Sequence, residues 1–258
     1  MIKHHKVHLW VLATAAMASL LLVPVTSAAI VGTLNTTNCT NGGVIVTATT
    51  IDFFNDPAIT PQTFGCIVGS ASSTAPNVLT FGSGTPFAGD ANGNIQNLTT
   101  PAGQFTGSPV PDFMVFTSGG TGIGTDTLHF DLTELGPGVS NTNCSLPGPC
   151  SVVAGSPFIL LGTSTGTTVT LDASGFAHDS LSPTDLSTFS GAFTTQIAGS
   201  TPSEIQTAAT TGTGAVTAGS TVSGQFIVTA GTPEPVSMAL IGGGLIGLAL
   251  LRRRRRQV

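Results

Sequence analysis

The sequence has no tyrosine, and its single tryptophan is Trp10. Fourteen phenylalanines must therefore supply nearly all of its aromatic packing. Basic side chains are confined to the two ends. The seven Lys and Arg are Lys3, Lys6 and Arg252 to Arg256, so none lies between Val7 and Leu251. All twelve acidic residues fall in that same stretch, which carries a formal charge of −12. A body without a base cannot neutralise phosphates, which excludes nucleic-acid binding. It also has no Lys or Arg for salt bridges, so a bound cation is the strong partner expected for a desolvated carboxylate. The missing Trp and Tyr remove the flat rings on which sugars usually stack. That weighs against both a glycosidase and a carbohydrate-binding module.

Catalytic motifs are missing as well. There is no G-x-S-x-G and no H-E-x-x-H. Only His129 and His178 lie beyond the N-terminal thirty residues. "FAHDS" sets His178 beside Asp179 and Ser180, but consecutive residues do not converge as a relay. His178 is expected to face solvent on a β-turn, and His129 to sit on the polar face of a strand. No enzymatic activity is expected. With no CxxC, and neither of these His near a Cys in sequence, a zinc site is not expected either.

What is present begins with the ends. Residues 1–29 carry Lys3 and Lys6, an apolar run from about Leu9 to Val23, Pro24, and then small residues at Ala28 and Ala29. These are the three regions of a signal peptide, and signal peptidase is expected to cut after Ala28 or Ala29. At the other end, Val236 to Leu251 is a sixteen-residue uncharged apolar run, with Gly243 and Gly247 spaced as GxxxG. As a helix it would extend roughly 24 Å, and it is expected to enter the membrane. Arg252, Arg253, Arg254, Arg255 and Arg256 would then stop transfer on the cytoplasmic side.

Pro233, Glu234 and Pro235 stand directly before this run. The combination of Pro-Glu-Pro, a short Gly/Leu-rich helix and an Arg cluster, over Thr232 to Arg256, closely resembles the PEP-CTERM sorting signal of bacteria. The resemblance implies recognition and processing by exosortase, a membrane-embedded cysteine protease. It also implies an association with exopolysaccharide-producing, biofilm-forming cells. The body resembles other acidobacterial-type PEP-CTERM ectodomains in "GDANGNIQNL", "LHFDLTELGPG", a small Cys loop followed by "GSPFIL", and "FSGAFTTQIAGSTPSEIQTAATT". That likeness implies no activity.

The expected organisation is therefore a signal peptide over 1–29, a secreted domain over 30–231 and a sorting signal over 232–258. Within the domain, short runs such as "TLHFDL", "TTVTLDASG" and "TVSGQFIVTA" alternate apolar and polar residues between Gly/Pro punctuation, as strands do. About ten such runs predict a mainly β domain, an antiparallel β-sandwich. One helix is expected at "TPSEIQTAA", between the runs at 189–197 and 221–230. Thr201 is its N-cap, Pro202 its first residue and Glu204 the partner of a capping box. A sheet protein without lysine also lacks the usual guard on its edges, so glycan cover or edge pairing is expected.

Four Cys in an exported chain predict two disulfides, with three connectivities open. "CSLPGPC" makes Cys144–Cys150 the local choice, leaving Cys39–Cys66. "DANGN" places Asp90, Asn92 and Asn94 at alternate positions, the weak candidate for calcium, which is the only cofactor suggested. The reading preferred there is an Asx-rich turn with Gly93 at positive φ. The function expected is a cell-surface or matrix protein of structural or adhesive type. Its partners would be exosortase, the membrane before processing, and exopolysaccharide or matrix proteins. A carbohydrate- or calcium-binding module is the alternative, and a secreted hydrolase the second.

Overall fold

The computed structural model describes residues 30–39, 43–46, 50–55, 64–71, 79–80, 86–99, 109–121, 126–184, 186–211 and 222–231. The expected signal peptide, the Pro-Glu-Pro motif, the apolar run and the Arg cluster lie outside them. Among the described residues, no helix is long and apolar enough to cross a membrane.

The chain is mainly β, with antiparallel strands and one described helix. The strands are β1 (Gly32–Asn38), β2 (Gly43–Val46), β3 (Thr50–Asn55), β4 (Phe64–Ala71), β5 (Leu79–Thr80), β6 (Pro86–Gln96) and β7 (Leu98–Thr99). They continue as β8 (Val110–Thr121), β9 (Leu128–Leu135), β10 (Phe158–Thr163), β11 (Gly166–Asp179) and β12 (Ser187–Ala198). Helix α1 (Pro202–Thr211) and β13 (Val222–Ala230) complete the order.

The sandwich expected from the sequence is not formed. The ring β11–β12–β13–β1–β4–β6–β8–β9 returns to β11 and closes an eight-stranded barrel. Closure depends on the length of β11. Its first half pairs with β10 over Gly166–Leu171, and its second half pairs with β9 over Ala173–Asp179. A register shift at Ser174/Gly175 accompanies the change of partner. Alternation alone cannot separate the two architectures, because each buries one face of every strand. Closing the ring leaves these eight strands without free edges, while β10 and the small sheet β2–β3–β7 keep theirs.

Alternation nevertheless sets what faces inward. β11 buries every second residue from Thr167 to Asp179, and β13 buries Val222, Gly224, Phe226 and Val228. Phenylalanines fill the interior as a connected series of tilted and edge-on rings. Phe116 meets Phe130 at 6.0 Å, Phe130 meets Phe189 at 5.2 Å, and Phe189 meets Phe226 at 5.8 Å. Phe226 meets Phe193 at 4.9 Å. Each such pair adds roughly 0.5–1.5 kcal/mol beyond the area it buries. Glycines make the room: a Cβ at Gly69 or Gly93 would lie 2.6 Å from the Phe116 ring, and one at Gly191 would lie 2.6 Å from Phe226.

The small sheet β2–β3–β7 packs against the barrel through Phe53, whose ring meets Phe113 at 5.9 Å and Phe193 at 5.6 Å. The apolar cavity beneath it measures about 30 Å³. That is room for a water and little more.

Both disulfides are present. Cys39–Cys66 joins the end of β1 to β4, and Cys144–Cys150 closes the loop between β9 and β10. On chain-entropy grounds they stabilise by roughly 3–4 and about 2 kcal/mol. The loop's backbone at Cys150 pairs with Leu160 of β10. Helix α1 lies between β12 and β13, as the sequence indicates, and buries Ile205 and Ala209. Its capping box is formed: Thr201 N–H donates to Glu204 Oε2 at 2.8 Å, and Glu204 N–H donates to Thr201 Oγ1 at 3.3 Å. Gln206 Nε2 donates to the carbonyls of Thr142 and Val152, each at 2.8 Å, which ties the helix to the disulfide loop.

Candidate functional site

Two features of the outer wall have the makings of a site. The first straddles the closing seam. Register places His178 of β11 opposite His129 of β9, and their rings stack with centroids 5.0 Å apart and planes 2° apart. His129 Nδ1 faces Asp112 Oδ1 at 2.7 Å, and its Nε2 faces Thr127 Oγ1 at 2.6 Å. In the neutral ring, Nδ1 then donates to the carboxylate and Nε2 accepts from the hydroxyl. His178 Nε2 lies 3.5 Å from Asp131 Oδ2, and the Asp112 N–H donates to Asp131 Oδ1 at 2.8 Å. Two histidines and two carboxylates thus form a closed circuit.

Asp112 reaches this position through unusual backbone. Its φ is 56°, at a register shift between Val110 and Met114 in the β8–β9 pairing. A non-glycine residue there costs on the order of 1–3 kcal/mol. Gln96 Nε2 holds the bulge by donating to the carbonyls of Pro111 and Asp112. Beside it, buried Asp126 accepts from Ser180 Oγ at 2.6 Å and from the N–H groups of Ser180 and Thr127, fastening the end of β11 to the start of β9.

The two histidines correct two expectations. His178 is a partly buried strand residue rather than a solvent-facing turn residue. Carboxylates in this Lys-free and Arg-free body also find partners other than a bound cation, namely imidazoles. His129 does lie on the polar face of its strand. Nothing local in the sequence announces the circuit, since its members come from three strands: Asp112 from β8, His129 and Asp131 from β9, and His178 from β11.

The calcium candidate is placed differently from either reading of it. "DANGN" is not a turn: Asp90, Asn92 and Asn94 lie within β6, paired with Ser70, Val68 and Cys66 of β4. Asn92 and Asn94 point outward and are exposed. Gly93 is inward-facing and is required for space, because a Cβ would sit 2.5 Å from the Val115 carbonyl. Among the described residues, no group of three or more His, Cys, Asp or Glu is placed to hold a metal.

The second feature is an open groove of about 840 Å³ crossing β11, β12, β13 and β1 on the outer wall. Asp172, Ala192, Gln225 and Asn35 form one row in direct register across these strands. Gln225 Nε2 donates to Asn35 Oδ1 at 3.1 Å. Thr194 and Ser223 bond to each other at one flank at 3.1 Å, and exposed Ile227 stands at the other. Gly136, whose N–H donates to the Asp172 carbonyl, adds a wall above the strands.

One carboxylate elsewhere is perturbed. Asp52 on β3 is pushed above the usual carboxylate range by partial burial, against the opposing effect of a 2.6 Å hydrogen bond from Asn97 Nδ2. No protein-family model, curated protein or solved structure matches the chain.

Proposed function

We propose that the chain is an exported cell-surface or extracellular-matrix protein of structural or adhesive type, delivered through a PEP-CTERM/exosortase route. The observation that carries this reading is the tripartite end at Thr232–Arg256, with Pro233, Glu234 and Pro235 set against the apolar run and its Arg cluster. Several properties of the folded body support it. Two disulfides suit an oxidising compartment outside the cytoplasm. A closed barrel packed with phenylalanine stabilises a body that has no Lys or Arg between Val7 and Leu251 to form ion pairs. Its filled interior also speaks against ligand storage inside the barrel.

The test is fractionation of a strain in which Pro233, Glu234 and Pro235 are all replaced by alanine. The variant should stay in the membrane fraction with its C-terminal arginines attached, while the wild type is released without them. Identical fractionation of both would overturn the sorting route.

A second reading, a surface hydrolase, draws on the line Thr127–His129–Asp112. A hydroxyl, an imidazole and a carboxylate stand there in the order of a nucleophile, a base and an orienting acid. Against it, the groove described above lies elsewhere on the wall, and the Thr127 N–H is already taken by Asp126 and Ser180. Incubation with a panel of nitrophenyl esters separates the readings. Hydrolysis lost in Thr127→Val supports the enzyme, and no turnover above buffer supports the structural role.

A further inference from the structure

The groove across β11, β12, β13 and β1 is lined by side chains of a consistent chemistry. Its floor is low because Ala192 is the shortest side chain in its row, between Asp172 and Gln225. The wall beneath is drawn in tightly. A Cβ on Gly191 would meet the Gln225 carbonyl at 2.0 Å, and one on Gly224 would meet Thr36 Oγ1 at 2.5 Å. The groove is therefore a consequence of how these strands coil around the phenylalanine core.

Its polar groups are only partly used. The carboxylate of Asp172 and the hydroxyls of Ser174 and Ser190 make no hydrogen bond to another described residue. The Gln225–Asn35 bond leaves the Gln225 carbonyl and the Asn35 amide group with capacity to accept and donate. A carboxylate is acceptor-only, a hydroxyl does both, and an amide offers one of each. A ligand matching this set presents several neighbouring hydroxyls. Exposed Ile227 offers an apolar contact at the rim. Charge narrows the class further. The body has no Lys or Arg, and the groove contains a carboxylate, so uronates, sulfated sugars and phosphates are repelled. The lack of Tyr and Trp, which removes stacking, leaves recognition by hydrogen bonding intact.

We propose that this groove binds a neutral polysaccharide chain through Asp172, Ser174, Ser190, Asn35 and Gln225. The inference rests on the matrix reading above and gives it a ligand class. The volume of about 840 Å³ falls within the range of small-molecule sites, and its open form suits a chain passing through.

The test is affinity electrophoresis of the protein as released from its host. Gels contain dextran, laminarin or galactomannan as neutral chains, polygalacturonate as an acidic chain, and chitosan as a cationic one. Retardation is expected in at least one neutral gel and not in polygalacturonate. The free monosaccharide of that chain at millimolar concentration should compete weakly and the oligosaccharide strongly. Asp172→Ala combined with Gln225→Ala should weaken retardation about tenfold or more. Both are outward-facing positions, so the melting temperature of this variant should stay within a few degrees of the wild type. Ser190→Trp, which fills the groove, provides an independent block. Retardation in chitosan alone would report the acidic charge of the whole body and would overturn the proposal. Absence from every neutral gel, or retardation unchanged in both variants, would overturn it. C-terminal processing is followed in parallel by mass. Normal processing without binding would sink the groove assignment alone, whereas a retained Arg tail would count against the sorting route.

Discussion

At the scale of single residues, fit between glycine and phenylalanine governs this protein. Gly191 shows the constraint most clearly. An added Cβ would lie 2.0 Å from the Gln225 carbonyl on the neighbouring strand, and backbone cannot swing aside as a side chain can. Gly191→Ala should cost on the order of 1–3 kcal/mol or more by overpacking. A thermal melt should show this as a drop of several degrees, and an unchanged melt would mean the strands yield freely. Asp52 predicts the opposite sign. Its carboxyl holds its proton more tightly in the fold than in the unfolded chain, because burial penalises the charge. Its contribution to stability is therefore complete below the unfolded carboxylate pKa of about 4 and is lost as pH rises through the higher folded value. Asp52→Asn stays neutral and keeps an acceptor for Asn97. It should melt above the wild type at pH 7 and level with it near pH 3; equal curves at both pH values would contradict this reading.

At the scale of elements, α1 and the β9–β11 seam behave differently toward the sequence. The helix was legible because its instructions are local: Thr201, Pro202 and Glu204 lie within four residues, and their bonds form as spelled. The Glu204 carboxyl is held below its ordinary range by the Thr201 N–H and hydroxyl. That stabilisation is present above the unfolded Glu pKa of about 4.3 and is lost as pH falls through the lower folded value. The melting-temperature gap between wild type and Glu204→Gln should therefore narrow as pH drops below about 4; a constant gap would mean the cap does not depend on charge. The seam was not legible. "TLHFDL" shows that His129 and Asp131 share an outward face, but nothing in it names β11 as the neighbour or His178 as the partner. Pairing between distant strands is set by register, which one residue of slip would invert. His178→Ala removes the ring stack and the Asp131 contact together. It should cost roughly 1–2 kcal/mol, and hydrogen exchange should accelerate first in β9 and β11. Uniform acceleration around the barrel would show that the seam is no special point of opening.

At the scale of the molecule, alternation, cysteine count and turn chemistry were enough to predict antiparallel strands, one helix and two disulfides. They were not enough to predict closure. A sandwich and a barrel use the same inside-out pattern, and only the split pairing of the fourteen-residue β11 decides between them. The groove is likewise a product of strand order, since Asn35 and Asp172 share one row across the wall. The two ends carry the functional reading, and their chemistry makes it directly testable. The decisive measurement is the intact mass of the protein recovered from its native host, before and after trypsin. Removal of both ends takes away Lys3, Lys6 and Arg252 to Arg256, and with them every Lys and Arg of the chain. The account predicts a mass matching a product that begins near Ala29 and ends near Pro235, with two disulfides and no change on digestion even after denaturation. A native product that still carries Arg252 to Arg256, and loses mass to trypsin, would contradict it.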